Sequence, residues 1–207
     1  MLVYGSGMSG GLLPQRFFDD DARVVAPALL GQELWRGEVG LRITETEAYW
    51  WPDDSASHCR RGETPRNAPM WGPPGYAYVY LCYGIHHLLN IVTGPAGQGA
   101  AVLIRSCEPI AGLEVIRERR RGLDGPVLLT GPGKVGAALD LDTGWSGHAL
   151  FEAGGLELRR GAPPPAMRVG TRVGVRYADE RDRLALARFA AAGTRWVSEA
   201  RELRPDR

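Results

Sequence analysis

The sequence predicts one domain of the α/β class, α+β in type, in which strands outnumber short helices. At 207 residues with 44% hydrophobic content, the chain can enclose one sizeable core but not two independent ones. Runs rich in β-branched and aromatic residues pair around Gly37 and around Tyr83-Gly84, as antiparallel hairpins do. Short segments with helical spacing and helix-end signals lie among them, and no internal repeat is present. The expected division is a loose arm over residues 1–12, the domain over 13–200 and a tail over 201–207.

Taken in order, Asp19-Asp20-Asp21 precedes a helix over residues 22–30, with acids at its positive end and Gly31 at its stop. Pro27 weakens that helix unless it sits in the first turn. Residues 32–36 and 39–49 form a hairpin. On its second strand, Ile43, Glu45, Glu47 and Tyr49 fall on one face by alternation, with Thr44, Thr46 and Ala48 on the other. Residues 50–75 are polar, hold five prolines and lack periodicity, so they form a long ordered loop of the kind that commonly carries function.

Residues 76–81 and 88–92 are strands flanking the Tyr83-Gly84 turn, and residues 100–107 are a mostly apolar, buried strand. Helical spacing over 110–121 and over 131–139 gives two further helices. Short strands follow at 149–151, 156–159 and 169–175, with Pro163-Pro164-Pro165 in a connection.

A net charge of +1 rules out the whole molecule as an electrostatic magnet for nucleic acid, so any such contact must use a local patch. Lys134 is the only lysine. The three cysteines are widely spaced and form no Cys-x-x-Cys, which indicates reduced thiols rather than disulfides or a zinc ribbon. No apolar run reaches membrane-spanning length, and the Gly/Ser-rich start lacks signal-peptide features. A soluble, intracellular protein is expected.

The candidate chemistry begins with Glu47 and Tyr49, which lead into the loop carrying His58, Arg60, Arg61, Arg66 and Asn67. A carboxylate, aromatics, a histidine and arginines suit base chemistry on a polyanion. Tyr76, Tyr78 and Tyr80 share a strand face, a pattern that is more often ordinary packing. Arg105 interrupts an apolar strand and needs an acid, for which Glu45 or Glu47 is the economical partner. Gly131-Pro132-Gly133-Lys134 is not a Walker A loop, since Val135 stands where Ser or Thr is required and Leu128 where the leading glycine belongs. His-Glu-x-x-His and deaminase-type zinc motifs are absent, which disfavours metal catalysis.

Glu45-Thr46-Glu47-Ala48-Tyr49, His58, Thr64-Pro65-Arg66-Asn67, Tyr78-Val79-Tyr80, Tyr83-Gly84, Asn90-Ile91, Leu103-Ile104-Arg105 and Gly131-Pro132-Gly133-Lys134, in this order, resemble the alkyladenine (3-methyladenine) DNA glycosylase family. The similarity extends over residues 13–198. The resemblance implies a curved antiparallel sheet with flanking helices and a protruding β-hairpin, acting on damaged purines in duplex DNA without a cofactor or metal. Glu47 would be the general base, helped by Arg105 and the main-chain carbonyl of Val173. Tyr49, His58 and Tyr80 would line the pocket for the flipped base, and Asn90 would crowd the amino group of normal guanine. Tyr83 would fill the vacated stack, with Ile85, Arg66, Thr64 and Lys134 as further DNA contacts.

The resemblance also implies a nucleoid-associated protein if the source is bacterial, and a monomer is the default. With one lysine for Schiff-base chemistry, a monofunctional hydrolase is expected. Two departures stand out: Leu186-Ala187-Arg188-Phe189 lacks the family's proline, and His86-His87 follow the hairpin tip. Two other readings use the same residues. Glu45 and Glu47 as a glycoside-hydrolase pair fails because neighbours on one strand face cannot flank a sugar. A non-catalytic damaged-DNA binder would use the tyrosines and arginines alone.

Overall fold

In the computed structural model, which describes residues 10–206, strand β2 (Val39–Tyr49) pairs with three partners. One edge runs along β5 (Ala101–Ala111), and the other is divided between β1 (Glu33–Arg36) and β8 (Arg188–Ala191). All pairings are antiparallel. The sheet runs from β3 (Ala77–Cys82) through β4 (His86–Val92), β5, β2 and β8 to β7 (Met167–Gly170) and β9 (Arg204–Pro205), while β6 (Leu156–Arg159) joins beyond β1. Residues 1–9 of the expected arm lie outside the described residues. Leu12 already bridges to Arg159.

The sheet's apolar face forms the main core. Leu41, Ile43, Ala48, Ile104 and Cys107 pack with Val25 and Ala26 of α1 (Ala22–Ala28) and with Val135 and Ala138 of α3 (Pro132–Ala138). Each fully buried Val, Leu or Ile side chain among them contributes about 1.5–3 kcal/mol. The Asp21 carboxylate caps α1 by accepting from the Arg23 amide at 2.8 Å. The helix tolerates Pro27 in its last turn and stops before the expected residue 30. In α3, a Cβ on Gly136 would lie 2.0 Å from the His87 carbonyl oxygen. The glycine lets this helix lie directly on β4.

Several expected elements move, each for a local reason. Helix α2 (Leu113–Arg119) begins later than residue 110 because β5 continues through Pro109 to Ala111. Gly112 then makes the corner at φ 68°, where an added Cβ would also meet the Glu38 carbonyl at 2.6 Å. Residues 149–151 do not form a strand, and only an isolated Tyr76–Ala149 bridge remains. The expected strand over 169–175 ends at Gly170, after which the chain leaves the sheet and carries Arg172 and Val173 beneath the site. Residues 180–183 form one short helix, α4 (Glu180–Arg183).

The largest correction concerns the face of Ile43. Between Ile43 opposite Cys107 and Thr46 opposite Ile104, each strand takes an irregular step, with Thr44 extra on β2 and Arg105 extra on β5. These matched bulges reverse side-chain parity on both strands without changing the overall register. Ile43 therefore joins Thr46 and Ala48 on the core side, whereas Glu45, Glu47, Leu103 and Arg105 are on the other.

Candidate active site

On that second side lies a cavity of about 730 Å³, within the roughly 300–1,000 Å³ of small-molecule sites. Tyr78, Tyr80 and Asn90 from the β3–β4 hairpin, Tyr49 and Arg105 from the central strands, and His58 from the long loop contribute to its wall. Glu47 lies beneath this wall with no exposed surface. Burying a carboxylate costs several kcal/mol unless it is paired and hydrogen-bonded. Here Oε1 accepts from the Val173 amide at 2.7 Å and lies 3.4 Å from Arg105 Nη1, while Oε2 accepts from the Tyr49 hydroxyl at 2.8 Å. It is thus the N–H of Val173 that reaches the carboxylate. Three groups that hold Glu47, Tyr49, Arg105 and Val173, themselves line the cavity.

Tyr49 is fixed from behind. The buried Arg172 guanidinium sits 4.8 Å from its ring centroid and 5.0 Å from that of Trp50. Arg172 also donates to both Asp54 oxygens, at 2.6 and 2.8 Å, and to the Ala48 carbonyl at 2.8 Å. Burial first, and then the Glu47 charge, raise the Tyr49 phenol well above its usual value, so it stays a hydrogen-bond donor.

His58 places Nδ1 3.2 Å from the Tyr78 hydroxyl and packs edge-on against Tyr80, 4.6 Å between centroids. Burial, with Arg66 and Arg60 nearby, lowers its pKa and favours the neutral imidazole. Asn67 shapes the loop beneath, donating to the carbonyls of His58 and Gly62 at 2.9 and 3.0 Å and accepting from the Thr64 amide at 2.7 Å. Asn90 donates to the Tyr78 and Leu88 carbonyls, which fixes its side chain in the cavity wall.

The sequence-derived candidates fall into two groups. Tyr49, His58, Tyr80, Asn90, Arg105 and Val173 line the cavity, as do Arg66, Tyr83 and Lys134. Thr64 lies outside it, in an adjoining hollow with His58, Arg60 and Arg66. Ile85 projects from the hairpin and is exposed. The tyrosine stripe divides: Tyr78 and Tyr80 face the cavity, and Tyr76 packs on Phe151. Among the described residues, no group of three or more His, Cys, Asp or Glu is placed to hold a metal ion.

Sequence reasoning offered Glu45 as a partner for Arg105, and the two do pair, but it missed the rest of a buried network centred on Glu45. Its Oε1 accepts from Arg188 Nε at 2.7 Å, Ser198 Oγ at 2.9 Å and Arg105 Nε at 3.2 Å. Its Oε2 accepts from Ser106 Oγ at 2.6 Å and the Ser198 amide at 2.8 Å. Burial would raise this carboxyl's pKa, but Arg105, Arg188 and the hydrogen bonds outweigh it and hold the value below the ordinary one. The signal was Arg188 standing among apolar residues, the same argument that singled out Arg105.

The family model described as methylpurine-DNA glycosylase matches residues 16–195. The chain belongs to the methylpurine-DNA glycosylase family. A relative from Nitrosococcus oceani, provisionally named a 3-methyladenine DNA glycosylase, is 60% identical over 94% of this chain and 96% of its own. An Arabidopsis thaliana protein named DNA-3-methyladenine glycosylase is 57% identical over 90% of this chain and 74% of its own. Family membership covers the strands that bear Glu47 and Arg105, the loop with His58, and the segment with Val173.

Proposed function

We propose that this chain is a monofunctional DNA N-glycosylase that swings a damaged purine out of duplex DNA and hydrolyses its bond to the sugar, leaving an abasic site. One observation carries the reading: a buried carboxylate, held by a guanidinium, an amide and a phenol, underlies an aromatic-walled cavity in a member of this family. In this mechanism Glu47 accepts a proton from water as the water oxygen bonds to the sugar's C1′. The C1′–N bond breaks, and its electron pair leaves with the purine. An N-alkylated purine carries positive charge and departs neutral, so one base suffices. The faces of Tyr49 and Tyr80 attract such a cation.

Asn90 would exclude normal guanine by crowding its amino group. Tyr83 would occupy the gap in the duplex, and Ile85, Thr64, Arg66 and Lys134 would contact the strand. Flipping costs a few kcal/mol and favours lesions that pair badly. The working unit is the expected domain of residues 13–200 together with β9, which pairs with β7, acting as a monomer and associated with the nucleoid if bacterial. No described helix is long and apolar enough to cross a membrane.

The test is release of free base from duplexes containing 3-methyladenine, 7-methylguanine, hypoxanthine or ethenoadenine. Glu47→Gln should lower excision by about 100-fold or more, while lesion binding persists. Equal excision by both proteins would overturn the assigned base. No release from any of the four by wild type would favour a non-catalytic binder.

A further inference from the structure

Arg105 faces two carboxylates from neighbouring positions of β2. Its Nε points to Glu45, its Nη2 donates to Ser198 Oγ at 3.2 Å, and only Nη1 approaches Glu47, at 3.4 Å. A free guanidinium prefers to grip a carboxylate with two parallel N–H groups. Such a grip on Glu47 would occupy lone pairs that a nucleophilic water needs, and would stabilise the ion pair at the expense of basicity. Glu45 prevents it by engaging the Nε edge. It is itself immobilised by five hydrogen bonds from β5, β8 and the segment at Ser198. Arg188 and Arg105 offset Glu45 and Glu47 in charge.

We propose that Glu45 is a positioning residue: it turns Arg105 so that a single N–H group meets Glu47, leaving the base able to bind and deprotonate water. This rests on the glycosylase reading and adds to it the residue that controls the base. The groups facing Glu47 are Tyr49 on its own strand, Arg105 on β5, Tyr80 on β3, and Arg172 and Tyr177 on the segment after β7. Those facing Glu45 are Arg105, Arg188 and the Cys107 thiol. Removing the Glu45 charge leaves Arg188 only the half-exposed Glu202, 3.5 Å away, and frees the Nε edge of Arg105 to fork onto Glu47.

The experiment is Glu45→Gln, close in volume, checked for cooperative unfolding and assayed in single turnover on the lesion duplex that wild type cleaves fastest. Excision at neutral pH should fall about 10- to 100-fold. Affinity for the same duplex should stay within about twofold. The acid limb of the pH–rate profile should move to lower pH, because a guanidinium forked onto a carboxylate favours its charged form. A folded variant whose acid limb coincides with that of wild type overturns the proposal, whatever its rate.

Should Glu45→Gln fail to fold, Ser198→Ala keeps every charge but removes the hydroxyl linking Arg105 to Glu45. It should slow excision by roughly threefold or more without weakening lesion binding, and unchanged excision overturns the proposal. The two readings separate cleanly. Excision by Glu47→Gln sinks the glycosylase mechanism, whereas an inactive Glu47→Gln beside a wild-type profile for Glu45→Gln sinks only the positioning role.

Discussion

Asp182 ties the His58-bearing loop to α4, its carboxylate accepting from the Ser55 amide at 2.7 Å and the Ser55 hydroxyl at 2.6 Å. Burial opposes its charge, but hydrogen bonds from Arg181 and Ser55 prevail and lower its pKa from 3.8 to about 2. A depressed folded-state value means that the stabilisation is complete above the unfolded value of 3.8 and is lost as pH falls from there through about 2. The shift corresponds to roughly 2 kcal/mol at neutral pH. Asp182→Asn should therefore unfold more easily at pH 7 in denaturant, and its stability should fall less steeply with acid between about pH 4 and 2. Parallel pH profiles for variant and wild type would refute this. At this scale, Arg105 was readable because a buried guanidinium requires an acid close by. Arg172 and Arg188 obey the same rule, but their acids Asp54 and Glu45 lie 118 and 143 positions away, and as with the 60 positions between Arg105 and Glu45 no local pattern marks the pairing.

The β3–β4 hairpin turns through Tyr83 at φ 52° and Gly84 at φ 71°, closed by the Ile85 amide donating to the Cys82 carbonyl at 3.1 Å. Both central residues lie in the left-handed region, as tight hairpins require. This turn presents the Tyr83 ring 90% exposed. An exposed side chain adds little to stability, so Tyr83→Ser should shift unfolding by no more than about 0.5 kcal/mol. Stacking on nucleic-acid bases is worth about 1–3 kcal/mol, so the same change should weaken lesion-duplex binding by roughly 5- to 150-fold. Unaltered binding would remove Tyr83 from the DNA interface.

Both hairpins were legible because their turn residues and flanking alternation are local. The matched bulges at Thr44 and Arg105 were not: each strand alone obeys period two, and only their pairing shows the reversal that separates Ile43 from Glu47. The strand expected at 169–175 failed for a related reason, since its later residues serve the site instead of the ladder.

Across the whole molecule, a nine-stranded antiparallel sheet turns one face to the core and lends the other to the cavity. Fold class followed from the strand and helix signals together with the family resemblance, whereas the assembly of β1, β5 and β8 on a single strand depends on contacts distant in sequence. The distribution of basic residues has a chemical consequence. With a net charge of +1 and 24 of its 25 cationic side chains arginine, the chain meets DNA almost without primary amines. Strand cleavage through a Schiff base needs an amine that attacks C1′ and displaces the base. Lys134 lines the cavity at the start of α3, and burial together with Arg120 lowers its pKa, which raises the fraction of neutral amine. The site therefore poses a real choice between water activated by Glu47 and an amine. On the proposed mechanism the attacking group is water held by Glu47, and Lys134, although it lines the same cavity, takes no covalent part. Borohydride added during turnover should consequently trap no covalent protein–DNA adduct, and Lys134→Ala should still release base. An adduct that forms with wild type and disappears in Lys134→Ala would assign the attacking group to the lysine and overturn the hydrolytic mechanism.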